Sequence, residues 1–483
     1  MNTGQTTQNN RHAVVIGASM AGLLAARVLS DHFEQVTLIE RDRLPQTVAA
    51  RKGVPQGQHL HALLAKGGDI LAQLFPDLFE SLTSDGAIRF TRADMKIYQS
   101  GAWNGRFPGA IQIYSQSRPF LEQYVRNFLA ERGNVNFVQA CEVTQLRATE
   151  DRSRITGVSL LYRDGKQSEE ELAADLVVDA GGRGSRTPKW LVSLGYDQVE
   201  ESSMKVNVGY ATRIFRLPDH LSLDWKMMMI SPVPPHSRRS GAVSLIEGNR
   251  WIVTLVNMGQ DYLPDDDDSF LEYARSLPQP DIYETIKEAE PLSPILIYRY
   301  SANRWRHYER MSRLPDGFII LGDALCSFNP AYGQGMTVAA LEANTLDTCL
   351  RQQSQKTNTQ RSYSALKIQK AITRAVEWPW QMATSVDRLY QEAQEKQTWS
   401  KSLLNRYMQR INQLTITNPL VADRFGEVMH LLKPPTVLFD PRVAFAVLKL
   451  ELVSHRQRPG TPVVTEVSSS AEYRSSTSAQ SPV

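Results

Sequence analysis

Cysteine is scarce in this sequence: only Cys141, Cys326 and Cys349 occur, odd in number and far apart. They supply neither a disulfide framework nor a zinc-ligand spacing, which predicts a reducing, cytoplasmic setting. An excess of one charge is also lacking. Lys plus Arg number 54 against 51 Asp plus Glu, a net +3, so the balance favours no nucleic acid or other polyanion as partner. No apolar run approaches the roughly 18 residues of a membrane span, so any membrane association is expected not to be integral. The opening MNTGQTTQNN is polar and runs straight into a strand, which reads as a short flexible lead and not a secretory signal. Internal repeats are absent. So is any Ser-His-Asp or paired-carboxylate constellation, and no side chain is nominated as catalytic. What remains is a globular composition, 42% apolar over 483 residues, enough for two or three packed units.

The chain is organised around residues 322–343, GDALCSFNPAYGQGMTVAALEA. A buried strand at 317–321 (GFIIL) runs into a glycine-rich loop and then a helix without an acidic side chain in its first turn. Such a helix start presents unpaired N–H groups and roughly half a positive charge to a ligand above it. Gly333 and Gly335 permit close backbone approach, and Asp323 offers an acceptor at the strand end.

Residues 12–17 (HAVVIG) form a strand, GASMAG leads into a helix, and a second strand at 35–39 ends on Glu40. Gly17, Ser19 and Gly22 follow the GxGxxG spacing with serine in the middle place, and the acidic residue comes at the usual interval of about 20. The pattern predicts a pyrophosphate at the helix start near Met20 and an adenosine ribose on Glu40. Arg51 lies on a broken loop, RKGVPQGQ, placed to meet phosphate or an aromatic ring, with a helix expected over 59–75. His59 and His61 are an i,i+2 pair, which suits structural or ligand-lining roles better than a metal. A helix follows at 115–130 with Ser117 as cap. Arg118 at its start needs a partner of opposite charge, either a phosphate or the acidic end of a neighbouring strand.

Short strands around 135–138, 142–146, 155–162 and 170–178 read as a β-meander with an Asp164-Gly165 turn, closed by DLVVDAGGRGSR. From about 200 to 300 alternation predicts an inserted antiparallel sheet, with Gly248-Asn249 as one turn. Its Trp225, Met227, Met228, Met229, Trp251 and Met258 serve either as core or as the lining of an apolar pocket. Asp265 to Asp268 read as helix caps. The chain beyond 363 is helical, broken at Trp378-Pro379-Trp380, with a Ser-, Thr- and Pro-rich tail.

GASMAG with Glu40, DLVVDAGGRGSR and GDALCSFNPAYGQGM, in this order, resemble the FAD-dependent monooxygenases of the aromatic hydroxylase class. RKGVPQGQHLHALL and YGQGMTVAALEA are similar to the branch containing squalene epoxidase and bacterial polyether epoxidases. The resemblance covers roughly residues 11–350. It implies an α/β fold: a Rossmann-like FAD-binding domain of glutathione reductase type, an inserted antiparallel substrate domain and a helical C-terminal region. The implied segments are 11–85, 111–195 and 301–355 for FAD, 86–110 and 196–300 for substrate, 356–455 helical and 456–483 a disordered tail. Gly17, Ser19 and Gly22 would hold the pyrophosphate, Glu40 the ribose and Asp323 the ribityl or pyrophosphate region. Arg51 and Arg118 would approach the cofactor, Gly333, Gly335 and Met336 would face the isoalloxazine, and Arg41 and Val143 join them as cofactor-binding positions.

The family chemistry is capture of O2 by reduced FAD as a C4a-hydroperoxide, followed by epoxidation or hydroxylation of a lipophilic small molecule, in secondary metabolism. Asp179-Ala180 stands where the family has Asp-Gly, which leaves two routes of reduction, NADPH or NADH directly or a separate flavin reductase. Competing readings are an isoprenoid double-bond reductase, a halogenase using Lys66, and a non-catalytic flavoprotein. The halogenase WxWxIP segment is missing.

Overall fold

Unbroken apolar runs such as AVVI and LVV predict strands covered on both faces, and they pair as a parallel sheet. The computed structural model describes residues 11–163, 169–218, 221–232, 237–259, 262–355, 364–391 and 399–456. Five strands stand in the spatial order Phe318–Ile320, Leu176–Asp179, His12–Ile16, Gln35–Ile39 and Val135–Val138, all parallel. Val14, Val15, Val177, Val178 and Ile319 are wholly buried. The helices Met20–Leu29, Arg118–Ala130, Gly335–Ser354 and Ala365–Gln391 add Leu23, Leu121, Ala340 and Ile372 to this core.

The meander expected over 135–178 is divided in the structure. Its outer strands, Val135–Val138 and Leu176–Asp179, enter the parallel sheet. Only Cys141–Ala148, Ile155–Tyr162 and Glu169–Ala173 form an antiparallel layer. Burial explains the division: Leu176–Asp179 is buried at every position, whereas Cys141–Ala148 alternates. The Asp164-Gly165 turn lies outside the described residues.

The inserted sheet has eight strands, in the order Cys326–Ser327, Leu296–Arg306, Glu201–Arg216, Arg250–Asn257, Arg239–Ile246, Met227–Ile230, Met95–Gln99 and Ala102–Trp103. It is antiparallel except where Met227–Ile230 meets Met95–Gln99. Gly248 and Asn249 take φ of 74° and 54°, the left-handed pair that a two-residue hairpin requires. One face is covered by the helices Asp267–Arg275 and Asp281–Ile286, which bury Trp225, Met228 and Trp251 with Phe270 and Ile282. Asp266 caps the first of these through Ser269 N–H.

Two helical expectations are corrected. The helix expected over 59–75 begins only at Ala65–Leu74. The segment before it is held by threonines: Leu60 N–H donates to Thr254 Oγ1 (3.3 Å) and Leu64 N–H to Thr337 Oγ1 (3.1 Å). Tertiary acceptors replace the helical ones there. Trp378-Pro379-Trp380 does not break its helix, because Ala365–Gln391 runs through Pro379. The Trp380 ring packs against Trp305 and Phe328, while Trp378 packs into a separate cluster around Ile411 and Val421. That packing on both sides offsets the lost backbone bond. The helices Trp399–Thr417, Pro419–Met429 and Pro441–Arg456 complete the C-terminal region, and residues 457–483 lie outside the described part. No helix of the described residues is long and apolar enough to cross a membrane.

Candidate functional site

The strand His12–Ile16 ends at Gly17, whose φ of +96° is open to glycine, and the helix Met20–Leu29 starts three residues later. Its first turn carries no acidic residue and its Ser19 cap makes no side-chain cap bond, so the N–H groups there are left for a ligand. Gly22 lies behind them: a Cβ at that position would fall 1.7 Å from Gly17 O.

Below this helix start lies a buried charge cluster. Arg51 reaches Glu40 (3.0 Å), Asp42 (3.3 Å) and Glu122 (2.9 Å), and donates to Ala18 O at 3.0 Å. Arg118 meets Glu122 at 2.7 Å and donates to Ser19 Oγ at 3.1 Å. The counter-charge that Arg118 meets in the protein is therefore Glu122, one turn on in its own helix, and not the acidic end of a neighbouring strand as expected. Burial opposes the Arg51 charge, but Glu122, Glu40 and Asp42 outweigh it and raise its pKa. For Arg118 burial wins over Glu122 and the pKa falls. Burial likewise opposes the Glu122 carboxylate, yet Arg118 and Arg51 hold it below the usual range. Glu40 also accepts from Ala18 N–H (2.9 Å) and Asp42 N–H (3.1 Å), so its carboxylate ties the strand end to the glycine turn.

Asp179 turns the second motif, accepting from Gly181 N–H (2.8 Å), Thr187 Oγ1 (2.5 Å) and Ser185 Oγ. Ala180 sets its methyl group against Gly22, 3.5 Å from where a Cβ would stand. At the third strand end, Asp323 is open to the cleft yet surrounded by protein. That enclosure pushes its carboxyl up, against Arg183 and Arg304. Gly333 has φ +64° with Ala62 pressed on it, and Gly335 opens the helix Gly335–Ser354 with no neighbour at its Cβ position.

These strand ends enclose one cavity of about 440 Å3. Gly17, Ser19, Glu40, Arg41, Arg51, Arg118, Val143, Asp323, Gly333, Gly335 and Met336 all line it. Gly22 does not; it lets the helix approach the strand. Of the two roles open to the Trp and Met residues of the inserted sheet, core is the one found: Trp225, Met228 and Trp251 are buried under the two helices, and Met258 packs with Val208 and Tyr210. The inserted sheet turns a different face to the cavity, made of Tyr210, Tyr298 and Tyr300. Tyr298 and Tyr300 are two apart, and Tyr210 pairs with Tyr298 across strands, so one face carries all three. That period-two spacing was the available signal.

His59 lies against Tyr298 (5.6 Å) and Tyr210 (6.0 Å), with Nδ1 2.7 Å from Thr212 Oγ1. Burial lowers its pKa to about 4, and burial aided by Arg118 lowers that of His61 to about 4, so both imidazoles are neutral at pH 7. Among the described residues no group of His, Cys, Asp or Glu is placed to hold a metal.

One acid was missed. Glu342, wholly buried on the Gly335–Ser354 helix, accepts from Gly322 N–H at 2.6 Å. Burial pushes its carboxyl up to about 8, with Asp323 adding to the Gly322-opposed rise. The folded value lies above the unfolded value of about 4.3, so its contribution to stability is full below that pH and is lost as pH rises toward 8. Glu342→Gln is expected to remove this loss. Its urea midpoint should drop less than the wild type's between about pH 6 and about pH 8, and equal drops would show that Glu342 does not titrate there.

A family pattern described as an FAD binding domain matches residues 11–365. "Protein Rv3254" of Mycobacterium tuberculosis (strain ATCC 25618 / H37Rv) is 32% identical over 481 residues, 96% of this chain and 99% of that protein. A flavoprotein/dehydrogenase from Cytophaga hutchinsonii superposes with a TM-score of 0.65 at 13% identity, over 93% of this chain and 100% of the other. The flavin-dependent brominase Bmp2 gives 0.61 at 14%, over 92% and 100%. p-Nitrophenol 4-monooxygenase PnpA from Pseudomonas putida DLL-E4 gives 0.59 at 14%, over 91% and 97%. At these identities the three structures share the fold. With the family pattern spanning most of the chain and the mycobacterial relative matching nearly end to end, this protein belongs to the FAD binding domain family.

Proposed function

We propose that this protein is an FAD-dependent monooxygenase that epoxidises or hydroxylates a largely apolar small molecule, in the manner of the squalene epoxidase-like branch and in secondary metabolism. The observation that carries the reading is a cavity that joins the glycine-and-arginine cradle to the wall of His59, Tyr210 and Tyr298. The residues present fit FAD. The helix start at Met20 suits the pyrophosphate, Glu40 and Arg41 the adenosine end, Asp323 the ribityl chain, and Gly333 to Met336 the ring. Bound and reduced, FAD supplies the electrons that activate O2. The protein's share is positioning and exclusion of water. The helix start at Gly335 favours negative charge on the neighbouring ring. Neutral His59 and the tyrosine rings offer flat apolar surfaces with hydroxyl edges, which suits a lipophilic substrate that carries a polar group. Lys66 is not part of the lining, which weighs against the halogenase reading.

The test is anaerobic stopped-flow absorbance with NADPH, NADH or a flavin reductase, then admission of isotopically labelled O2 with candidate alkenes and arenes. A product carrying one labelled oxygen is expected. Turnover with oxygen excluded would move the assignment to C=C reduction, and product that requires bromide would move it to halogenation. Which reductant bleaches the bound FAD identifies the route of reduction.

A further inference from the structure

Asp387 lies near the end of the Ala365–Gln391 helix, beyond the residues that the family pattern matches. It is 3% exposed. Its carboxylate gathers hydrogen bonds from segments far apart in sequence: Asn303 Nδ2 donates to Oδ2 at 2.6 Å, while Asn329 Nδ2 (2.8 Å) and Tyr332 Oη (2.6 Å) donate to Oδ1. All three donors are neutral, so the carboxylate is held by hydrogen bonds from these groups.

Asn329 links this carboxylate to the cavity. It is wholly buried, and it lines the cavity together with Pro330 and Gly333. Its Nδ2 is committed to Asp387, and its Oδ1 accepts from Ala331 N–H (3.0 Å) and Tyr210 Oη (3.2 Å). Both ends of the amide are therefore used, one on the C-terminal helix and the other on its own turn and on the cavity wall. The turn Pro330–Tyr332 ends at Gly333 in the left-handed region, and Gly335 then opens the helix. A shift of Asn329 or Tyr332 is thus passed to the backbone over which the ring of the cofactor is placed.

We infer that Asp387 is a positioning residue of the flavin site: by holding Asn329 and Tyr332 it fixes residues 329–333 against the cavity, so the C-terminal helix completes a site whose lining residues all precede it. The inference rests on FAD binding and on the placement of the ring beside Gly333 to Met336, not on the oxygenation chemistry.

Three forms are to be compared: wild type, Asp387→Ala and Asp387→Asn. Alanine leaves the Asn303, Asn329 and Tyr332 donors without an acceptor. Asparagine keeps one oxygen, and its new N–H has a waiting partner, since Asn303 Oδ1 is buried without a hydrogen bond and that amide can turn over. The measurements are FAD affinity by fluorescence titration, the visible spectrum of bound flavin, and the rise in Tm on adding FAD. Asp387→Ala is expected to weaken FAD binding about tenfold or more, to move the flavin bands toward those of free FAD and to shrink the FAD-dependent rise in Tm. Asp387→Asn should stay within about threefold of wild type. A lower Tm in Asp387→Ala with wild-type affinity and spectrum would overturn the proposal, because Asp387 would then only stabilise the fold. If that variant does not fold, Tyr332→Phe decides, since it removes one of the three bonds and a wild-type flavin spectrum would count against the proposal. Every readout concerns bound FAD, so the oxygenation reading can fail while these results stand.

Discussion

Gly22→Ala is expected to abolish tight FAD binding and to cost about 3 kcal/mol of stability or more. The added Cβ would stand 1.7 Å from Gly17 O, a backbone atom that cannot swing aside. The helix Met20–Leu29 must then move off the strand His12–Ile16, which carries its free N–H groups away from the cavity. Gly133→Ala is the control: nothing lies within 4 Å of its Cβ position, so no clash follows. Urea unfolding and FAD titration of both variants make the check. A Gly22→Ala protein with wild-type midpoint and affinity would show that the helix is not seated on the glycine turn as described.

Arg51→Met is the second large effect. It removes a cation of which only 6% is exposed and leaves Glu40, Asp42 and one side of Glu122 without their shared partner. Breaking a buried ion pair from one side typically costs about 3–5 kcal/mol, because the remaining charges stay buried without compensation. Stability should fall by that amount at pH 7, and FAD affinity should fall with it. The pH dependence has a definite sign. Glu122 is held below its unfolded value, so the network stabilises above about pH 4.3 and loses that contribution as pH falls through the lower folded value. The gap between wild type and variant is therefore widest near neutrality and narrows below about pH 4. An equal gap at both ends of a urea series across this range would mean that the carboxylates are not what Arg51 supports.

The turns and helix starts that line the cavity were legible in the sequence because each of them is local. Gly17, Ser19 and Gly22, with Glu40 at its interval, and the acid-free helix start at Gly335 each report a turn geometry that depends on few distant residues. The tyrosine wall of the cavity was not legible for the opposite reason. Which side of the inserted sheet is covered depends on the helices Asp267–Arg275 and Asp281–Ile286, later along the chain. Trp225 and Met228 are buried under those helices, and the tyrosine face is left to the cavity. The segment before Ala65 has a helical pattern, but Thr254 and Thr337, far along the chain, supply its acceptors. Asp387 carries no local motif at all, since its meaning lies in Asn303, Asn329 and Tyr332.

The strand order of the parallel sheet has a consequence for synthesis. His12–Ile16 sits at the centre, but its neighbour Leu176–Asp179 and the outermost Phe318–Ile320 leave the ribosome much later. Until then the sheet has an open apolar edge, and the pairings that close it, Ala13 with Leu176 and Val177 with Phe318, join residues far apart in sequence, which makes folding slow and the nascent chain prone to aggregate. Chains stopped before Phe318 should accumulate as insoluble or chaperone-bound material, and supplying FAD during translation can help only after the Gly335–Ser354 helix has emerged.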